Sequence, residues 1–131
     1  MNKIYINILP NKNPSIPGEL SERFPLLENK LIELWNINLL QDKGHTFRLG
    51  VNQQVVINEN IEVFNCICQE VDSKGNLKLD IIALGICLEQ AISKLRHSNT
   101  KIIIHDKYRD EILGLLEALK IISNVDFVTK Y

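Results

Sequence analysis

A polar turn, His105-Asp106-Lys107-Tyr108, directly follows the apolar run Lys101–Ile104 and is the first place to look for chemistry. The run predicts a strand buried on both faces, and ligands of α/β proteins bind where loops leave the carboxyl ends of strands. The turn also precedes a predicted helix, whose opening backbone amides can hold an anion. We therefore expect these four residues to bind a ligand. The same turn is also explained if Asp106 only caps the helix and His105 only ends the strand.

The loop after the first predicted strand, Lys3–Leu9, is the second candidate segment. Its prolines and glycine argue against regular secondary structure, and long loops on a rigid scaffold are common sites of function. The candidate ligand-binding residues in this loop are Asn11, Asn13, Pro17 and Gly18.

No pattern in the sequence predicts a catalytic centre, and we expect neither a metal ion nor a cofactor. The three histidines are scattered, and the glycine-rich phosphate-loop and nucleophile-elbow motifs are missing. The acidic pair Asp110-Glu111 falls in the first turn of a predicted helix, where an interaction with the helix dipole explains it better than acid–base catalysis does. Cys66, Cys68 and Cys87 lie in apolar runs, which predicts buried free thiols.

Length and composition predict one globular domain, residues 1–131. The formal net charge of -1 argues against a sequence-independent grip on nucleic acid, so nucleic acid is not an expected partner. No segment has the roughly 18 consecutive apolar residues of a membrane span, and the N-terminus lacks the apolar core of a signal peptide. We expect a cytoplasmic protein of bacterial or phage origin that has no membrane partner.

Apolar periodicity and turn residues predict the order strand, helix, helix, strand, strand, helix, strand, helix, strand. Asp80 is predicted to cap the third helix, and Gly75 is predicted to take a positive φ in the loop before it. This alternation predicts an α/β fold of three α/β/α layers with a mixed, partly parallel central sheet. We expect the C-terminal strand to lie well inside that sheet. The predicted strands are Lys3–Leu9, Val51–Ile57, Ile61–Cys68, Lys101–Ile104 and Val125–Tyr131.

Several phrases of the sequence resemble the macrodomain family. Phe24-Pro25 resembles the end of its first helix, Leu49-Gly50-Val51 resembles its leucine-glycine phrase, and Asn65 to Gln69 resembles one of its strand phrases. The helix that contains Ile82-Ala83-Leu84 and the final strand VDFVTKY also correspond in position. The resemblance covers nearly the whole chain, and it implies a macrodomain-like fold of the compact branch that removes or recognises ADP-ribose.

The sequence departs from the macrodomain pattern in the two loops that hold the ligand. In that family a glycine-rich loop after the strand corresponding to Ile102–Ile104 wraps the diphosphate, but this chain has no glycine from His105 to Asp110. The first loop keeps only Gly18. Asn11 and Asn13 could stand near the asparagine that some members use toward the distal ribose.

The resemblance therefore implies binding of ADP-ribose or a related nucleotide, with Lys107 or Arg109 replacing the glycine amides and with little or no catalysis. Any activity would be that of an ADP-ribosyl hydrolase or deacylase. The alternative is a non-catalytic interaction protein, of the immunity or phage anti-defence type, that keeps the fold and binds a protein partner. A ribonuclease H-like core with Asp106 at a metal position is a further resemblance, but such nucleases need an acid in the first strand, and Lys3–Leu9 has none.

Overall fold

A computed structural model describes residues 3–12, 19–41, 46–93, 101–123 and 126–129. The predicted element order is confirmed, with one additional short strand, β4, before the third helix. None of the helices in this described part of the chain has the length and hydropathy needed to cross a membrane. The helices are α1 (Glu19–Arg23), α2 (Leu26–Leu40), α3 (Ile81–Ser93) and α4 (Arg109–Ser123), and a 3-10 turn (Asp106–Tyr108) precedes α4. The strands are β1 (Lys3–Pro10), β2 (Asn52–Val56), β3 (Ile61–Val71), β4 (Leu77–Leu79), β5 (Lys101–Ile104) and β6 (Asp126–Thr129).

The strands form one mixed sheet in the order β2-β3-β1-β5-β6, with β4 also paired to β3. Strands β1, β3, β5 and β6 are parallel, whereas β2 and β4 pair antiparallel with β3. The predicted α/β class with a partly parallel sheet is therefore confirmed. The expectation that the C-terminal strand lies well inside the sheet is wrong, because β6 pairs with β5 alone among the described strands. Parallel pairing with β5 and contact with α4 hold β6 at the edge instead.

Helices cover both faces of the sheet, as the three-layer prediction requires. Side chains alternate along β1, so that Ile4 and Ile6 belong to the core beneath α3 and α4. Tyr5 faces the opposite layer, where it shares a core cluster with Leu20 of α1 and Leu27 of α2. Burial of these apolar side chains on both faces is the main force that fixes the sheet between its helices.

A ladder of amide side chains crosses the sheet on the α2 face. Asn7 Nδ2 donates to Asn65 Oδ1 at 2.9 Å, and Asn65 Nδ2 donates to Gln53 Oε1 at 3.0 Å. Gln53 Nε2 in turn donates to the backbone carbonyl of Lys30 in α2 at 3.1 Å. Asn65 is 1% exposed, and a buried amide is stable only where its polar atoms find partners. The ladder therefore ties β1, β3 and β2 to α2.

Two local predictions about the region before α3 are confirmed. The Asp80 carboxylate accepts a hydrogen bond from the backbone N–H of Ala83 at 2.9 Å, which caps the helix. Gly75 has a φ of 82° in the loop between β3 and β4, a conformation that side chains disfavour. Asp72 closes the same loop through bonds of 2.8 Å from the N–H groups of Lys74 and Asn76.

The three cysteines are free thiols buried in the core beneath α3 and α4, as predicted. Cys66 and Cys68 lie on the same face of β3, where Cys87 of α3 packs against them. Burial raises the pKa of the Cys66 and Cys68 thiols above the ordinary value of 9.0. A hydrogen bond with Cys66 lowers the pKa of Cys87. Neutral, inert thiols are therefore expected at Cys66 and Cys68.

Candidate functional site

The carboxyl ends of β1, β3 and β5 meet at one edge of the sheet. β1 lies between β3 and β5. After β1 the chain forms β2 and β3 on one side of it, and after α3 the chain forms β5 on the other side. A strand flanked in this way marks the topological switch point, where α/β folds bind ligands beyond the strand ends. We name this crevice the candidate cleft; Asn11, directly after β1, and the turn after β5 border it.

Gln69 and Tyr108 connect the two sides of the candidate cleft across the strand that lies between them. Gln69 Nε2 donates a hydrogen bond of 3.0 Å to the Tyr108 hydroxyl. Gln69 is 6% exposed, and the Tyr108 ring is half-buried against the core beneath α3 and α4. β3 carries one extra residue here, because Leu9 pairs with Ile67 but Pro10 pairs with Gln69. Such bulges redirect neighbouring side chains, which accounts for the reach of this amide to Tyr108.

Asn11 attaches the start of the loop after β1 to the same end of β3. Its backbone N–H donates to the Gln69 carbonyl at 2.8 Å, and its side-chain Oδ1 accepts from the Val71 N–H at 3.2 Å. Its own carbonyl accepts from the Phe47 N–H at 2.6 Å. Asn11 therefore borders the candidate cleft, and its side-chain oxygen is engaged by the backbone of β3.

His105 caps the turn after β5. Its Nδ1 accepts from the Lys107 N–H at 3.0 Å, and its carbonyl accepts from the Tyr108 N–H at 3.2 Å. The prediction that Asp106 caps the last helix is wrong, because the chain forms a 3-10 turn at Asp106–Tyr108 before α4 begins and the cap moves one residue earlier. The Asp106 carbonyl accepts from the Arg109 N–H. The backbone amides of residues 107 to 109 are thus engaged within the turn.

The side chains of His105 and Lys107 lie next to the Tyr108 ring. Lys107 Nζ lies 5.0 Å from the ring centroid, a cation–π distance, and the His105 ring stands edge-on with its centroid at 6.4 Å. Lys107 and Arg109 are exposed. The chain therefore offers positive charge here through exposed side chains, whereas a glycine-rich loop would offer it through backbone amides.

The structure brings together part of the predicted site. Asn11 and Tyr108 both contact Gln69, and His105 and Lys107 both contact Tyr108. Asp106 is exposed and joins the turn through its backbone carbonyl. The other predicted residues lie outside the described part of the chain: Asn13, Pro17 and Gly18.

Gln69 is the residue of this site that the sequence analysis did not select. Its position in the sequence could have identified it, because Gln69 directly follows the unbroken buried run that ends at Cys68 and is itself buried. A buried glutamine at a strand end must find hydrogen-bond partners, so such a residue marks a contact between distant segments. The identity of those segments depends on the strand order, which the sequence alone did not supply.

A second concave surface lies beside the start of α3. It is an open groove of about 290 Å³ lined by Glu70, Lys78, Leu79, Asp80, Ile81 and Ile82. Ile82 is 79% exposed, and Ile86, one helical turn further, is 42% exposed. Adjacent exposed apolar side chains beside a groove are typical of interaction surfaces.

Compared by sequence, the chain matches no known family model and, at the significance required, no curated protein. Compared by structure, it is similar to a macrodomain protein from Streptomyces coelicolor, with a TM-score of 0.75 and 14% identity over 99% of this chain and 88% of that one. It is also similar to a Bacteroides thetaiotaomicron protein, with a TM-score of 0.70 and 17% identity over 98% and 88% of the two chains. A protein of unknown function from the same organism gives a TM-score of 0.69 and 19% identity over 98% and 87%. At these identities the comparisons establish the fold alone, and that fold is macrodomain-like.

Proposed function

We propose that this protein binds ADP-ribose or a related nucleotide in the candidate cleft, with little or no catalysis. The proposal is carried by one observation, the connection of both walls of the cleft to one buried residue. Gln69 bonds to Asn11 at the base of the loop after β1 and to Tyr108 in the turn after β5. Binding sites require walls held in fixed positions, and these walls stand at the switch point of the sheet. The likeness to a macrodomain protein supports the choice of ligand.

Two exposed basic side chains, one in the turn after β5 and one directly after it, support an anionic ligand held by side chains. Lys107 and Arg109 are exposed beside the turn and can reach a phosphate as salt-bridge partners. Asp106 and Asp110 are also exposed and lie at the start of helical turns, where the helix dipole favours negative charge. We therefore assign them the role of dipole partners and no acid–base chemistry.

Calorimetric titration of ADP-ribose into the full chain tests the proposal. We expect saturable binding at one site per chain and, at a hundredfold excess over Kd, about 2.7 kcal/mol of added stability. Lys107→Ala should weaken binding by roughly tenfold or more, because a charge-assisted hydrogen bond contributes about 1.5–3 kcal/mol. Lys101→Ala is the matched control, since Lys101 is exposed at the opposite end of β5 and should leave Kd unchanged.

Two results would count against nucleotide binding in this cleft. The absence of heat and of a thermal shift at millimolar ADP-ribose, with a folded protein, would exclude that ligand. Equal loss of affinity in Lys107→Ala and Lys101→Ala would exclude the turn after β5 as the anion-binding wall.

The groove beside α3 favours a second candidate function, binding of a protein partner. Ile82 is 79% exposed next to the groove, so a partner that covers it would gain the free energy of burying this apolar side chain. Affinity purification of the full chain from its native host should return a stoichiometric partner, and Ile82→Asp should abolish its capture. Leu113→Asp is the control, because Leu113 is an exposed apolar residue of α4 at 48% exposure. Purification of the chain without a partner would contradict this second function.

A further inference from the structure

We infer that three basic side chains at the amino edge of the sheet, those of Lys3, Arg23 and Lys101, bind a terminal phosphate group. We name these three residues the amino-edge site. The site lies at the end of β1 and β5 opposite the candidate cleft, so the inference does not rest on the proposed function.

The first argument is the register of the two lysines. β1 and β5 are parallel neighbours, and Lys3 at the start of β1 pairs with Lys101 at the start of β5. Neighbouring strands lie about 4.8 Å apart, and side chains alternate between the two faces along each strand. Two residues further along these strands, Tyr5 and Ile103 share the core cluster beneath α1 and α2. Both lysines therefore belong to that same face and lie side by side.

The second argument is the position of Arg23, at the end of α1. Its Nη1 donates a hydrogen bond of 3.4 Å to the Tyr5 hydroxyl, and its guanidinium carbon lies 5.8 Å from the centre of the tyrosine ring. Tyr5 is the next residue of β1 after Lys3 on this face. A guanidinium group has five N–H donors, and the bond to Tyr5 uses one of them. A third cation with further donors therefore lies on the face of the two lysines.

The third argument is that no ion pair among the described side chains neutralises the amino-edge site. Arg23 and Lys101 are exposed and Lys3 is half-buried, so a ligand in solution can reach all three. None of them forms an ion pair with a side chain that the structure describes. Glu62 of β3 belongs to the opposite face of the sheet. Asp126 pairs with Lys101 in β6, so this row of the sheet has one acid for two lysines.

The fourth argument is energetic. Like charges directly opposite each other on neighbouring strands destabilise a sheet. An oxyanion between the two lysines replaces this repulsion by two attractions, and it accepts charge-assisted hydrogen bonds from the ammonium groups and from the guanidinium group. A terminal phosphate group carries about 1.5 to 2 negative charges at pH 7, which matches a site with three cations.

Calorimetric titration of inorganic phosphate into four full-length proteins tests the inference, at neutral pH and at an ionic strength held constant with sodium chloride. The proteins are the wild type, Lys3→Gln, Lys101→Gln and the control Lys74→Gln. Lys74 is exposed in the loop between β3 and β4, and its replacement changes the net charge by the same amount. We expect saturable binding to the wild type and to the control. The other two variants should bind phosphate roughly tenfold more weakly or worse, because each loses a charge-assisted hydrogen bond.

The melting temperature without phosphate adds a readout that a merely supporting role of the lysines would not produce. Lys3→Gln and Lys101→Gln should each raise the melting temperature, because each removes the repulsion between the two ammonium groups. The double variant should gain less than the sum of the two single gains, because both remove the same repulsion. Lower melting temperatures in both single variants would overturn the inference.

Phosphoserine in place of inorganic phosphate distinguishes two sources of the group. Binding of phosphoserine would support recognition of a phosphate attached to a larger molecule, and binding of inorganic phosphate alone would support a site for the free anion. Equal affinity of all four proteins for phosphate, or no saturable binding by any of them, would overturn the inference. Neither result affects the proposed function, because ADP-ribose has a diphosphate bridge and no terminal phosphate. Lys101→Ala therefore remains a control for nucleotide binding in the candidate cleft.

Discussion

The amide of Gln69 reaches the hydroxyl of Tyr108 at 3.0 Å, which joins two residues that are 39 positions apart in the chain and lie on either side of β1 in the sheet. This contact closes the carboxyl edge of the sheet at the point where α/β folds bind ligands. Because the Gln69 carbonyl also accepts from the Asn11 N–H, the same residue holds both borders of the candidate cleft. Under the proposed function, a substitution at Gln69 would therefore change both the stability of the protein and its affinity for the nucleotide.

A double-mutant cycle on this pair should reveal that coupling in the absence of ligand. We expect Tyr108→Phe to lower the free energy of unfolding by about 1 kcal/mol, and Gln69→Leu to lower it by a similar amount. The double variant should lose less than the sum, by about 0.5–1.5 kcal/mol, because the two residues share one hydrogen bond. Chemical denaturation followed by circular dichroism measures these values. Strict additivity would mean that the pair makes no stabilising contact in solution.

Asn65 should be the most sensitive polar residue of the sheet. Asn65→Ala removes the middle of the amide ladder, so that the Asn7 donor and the Gln53 acceptor lose their partners in a partly buried environment. We expect a loss of about 3 kcal/mol in the free energy of unfolding. Denaturant titration measures it.

Asn52→Ala is the matched control for Asn65. Asn52 also bonds through its amide to another side chain, that of Gln90, but this bond is exposed to solvent. Loss of this hydrogen bond should lower the free energy of unfolding by less than about 0.5 kcal/mol. Equal costs for the two asparagines would contradict the buried ladder.

The substitution of glycine by alanine should have opposite effects on the stability of the protein at Gly75 and at Gly114. An added methyl group would meet no atom within 4 Å at either position, so packing does not distinguish them. Gly75 has a φ of 82°, and an alanine there should destabilise the protein by about 1 kcal/mol. Gly114 lies inside α4, where alanine should stabilise by about 0.5–1 kcal/mol. Thermal unfolding of both variants measures the two changes in stability. Changes in the same direction would contradict the assignment of Gly75 to a loop with positive φ or of Gly114 to a helix.

Stability should fall at alkaline pH in part because of Cys68. Burial raises the pKa of this thiol above the ordinary 9.0, so the unfolded chain releases the proton while the folded chain retains it. The thiol therefore contributes its full stability below about pH 9, and this contribution declines as the pH rises further, by up to about 1.4 kcal/mol per pH unit. Unfolding titrations from pH 8 to 10.5 should give a steeper decline for the wild type than for Cys68→Ala. Parallel declines would contradict a buried, neutral Cys68.

Features determined by neighbouring residues could be predicted from the sequence. Asp80 stands three residues before the amide that it caps, and Gly75 lies in a short polar loop. The residues that determine each of these features therefore lie within a few positions in the sequence. The buried strand Lys101–Ile104 was likewise predictable, because an apolar run of that length suits an interior parallel strand. The three α/β/α layers follow from the alternation of such elements.

Features that depend on distant segments could not be predicted in this way. The role of Gln69 depends on a bulge opposite Pro10 and on a tyrosine in another element, and neither is visible in the local pattern. The edge position of β6 depends on the strand order. The replacement of Asp106 by His105 as the cap follows from one 3-10 turn, a shift too small for periodicity to detect.

The central claim is that a nucleotide binds at the carboxyl edge of the sheet, and amide chemical-shift mapping during an ADP-ribose titration tests it most directly. We expect saturable shifts at the backbone amides of Asn11, Gln69 and Tyr108, which border the candidate cleft. We expect none at Ile61 and Lys101, which lie at the opposite edge of the sheet. Unchanged spectra at millimolar ADP-ribose, or shifts confined to the opposite edge or to the groove beside α3, would contradict nucleotide binding in the candidate cleft.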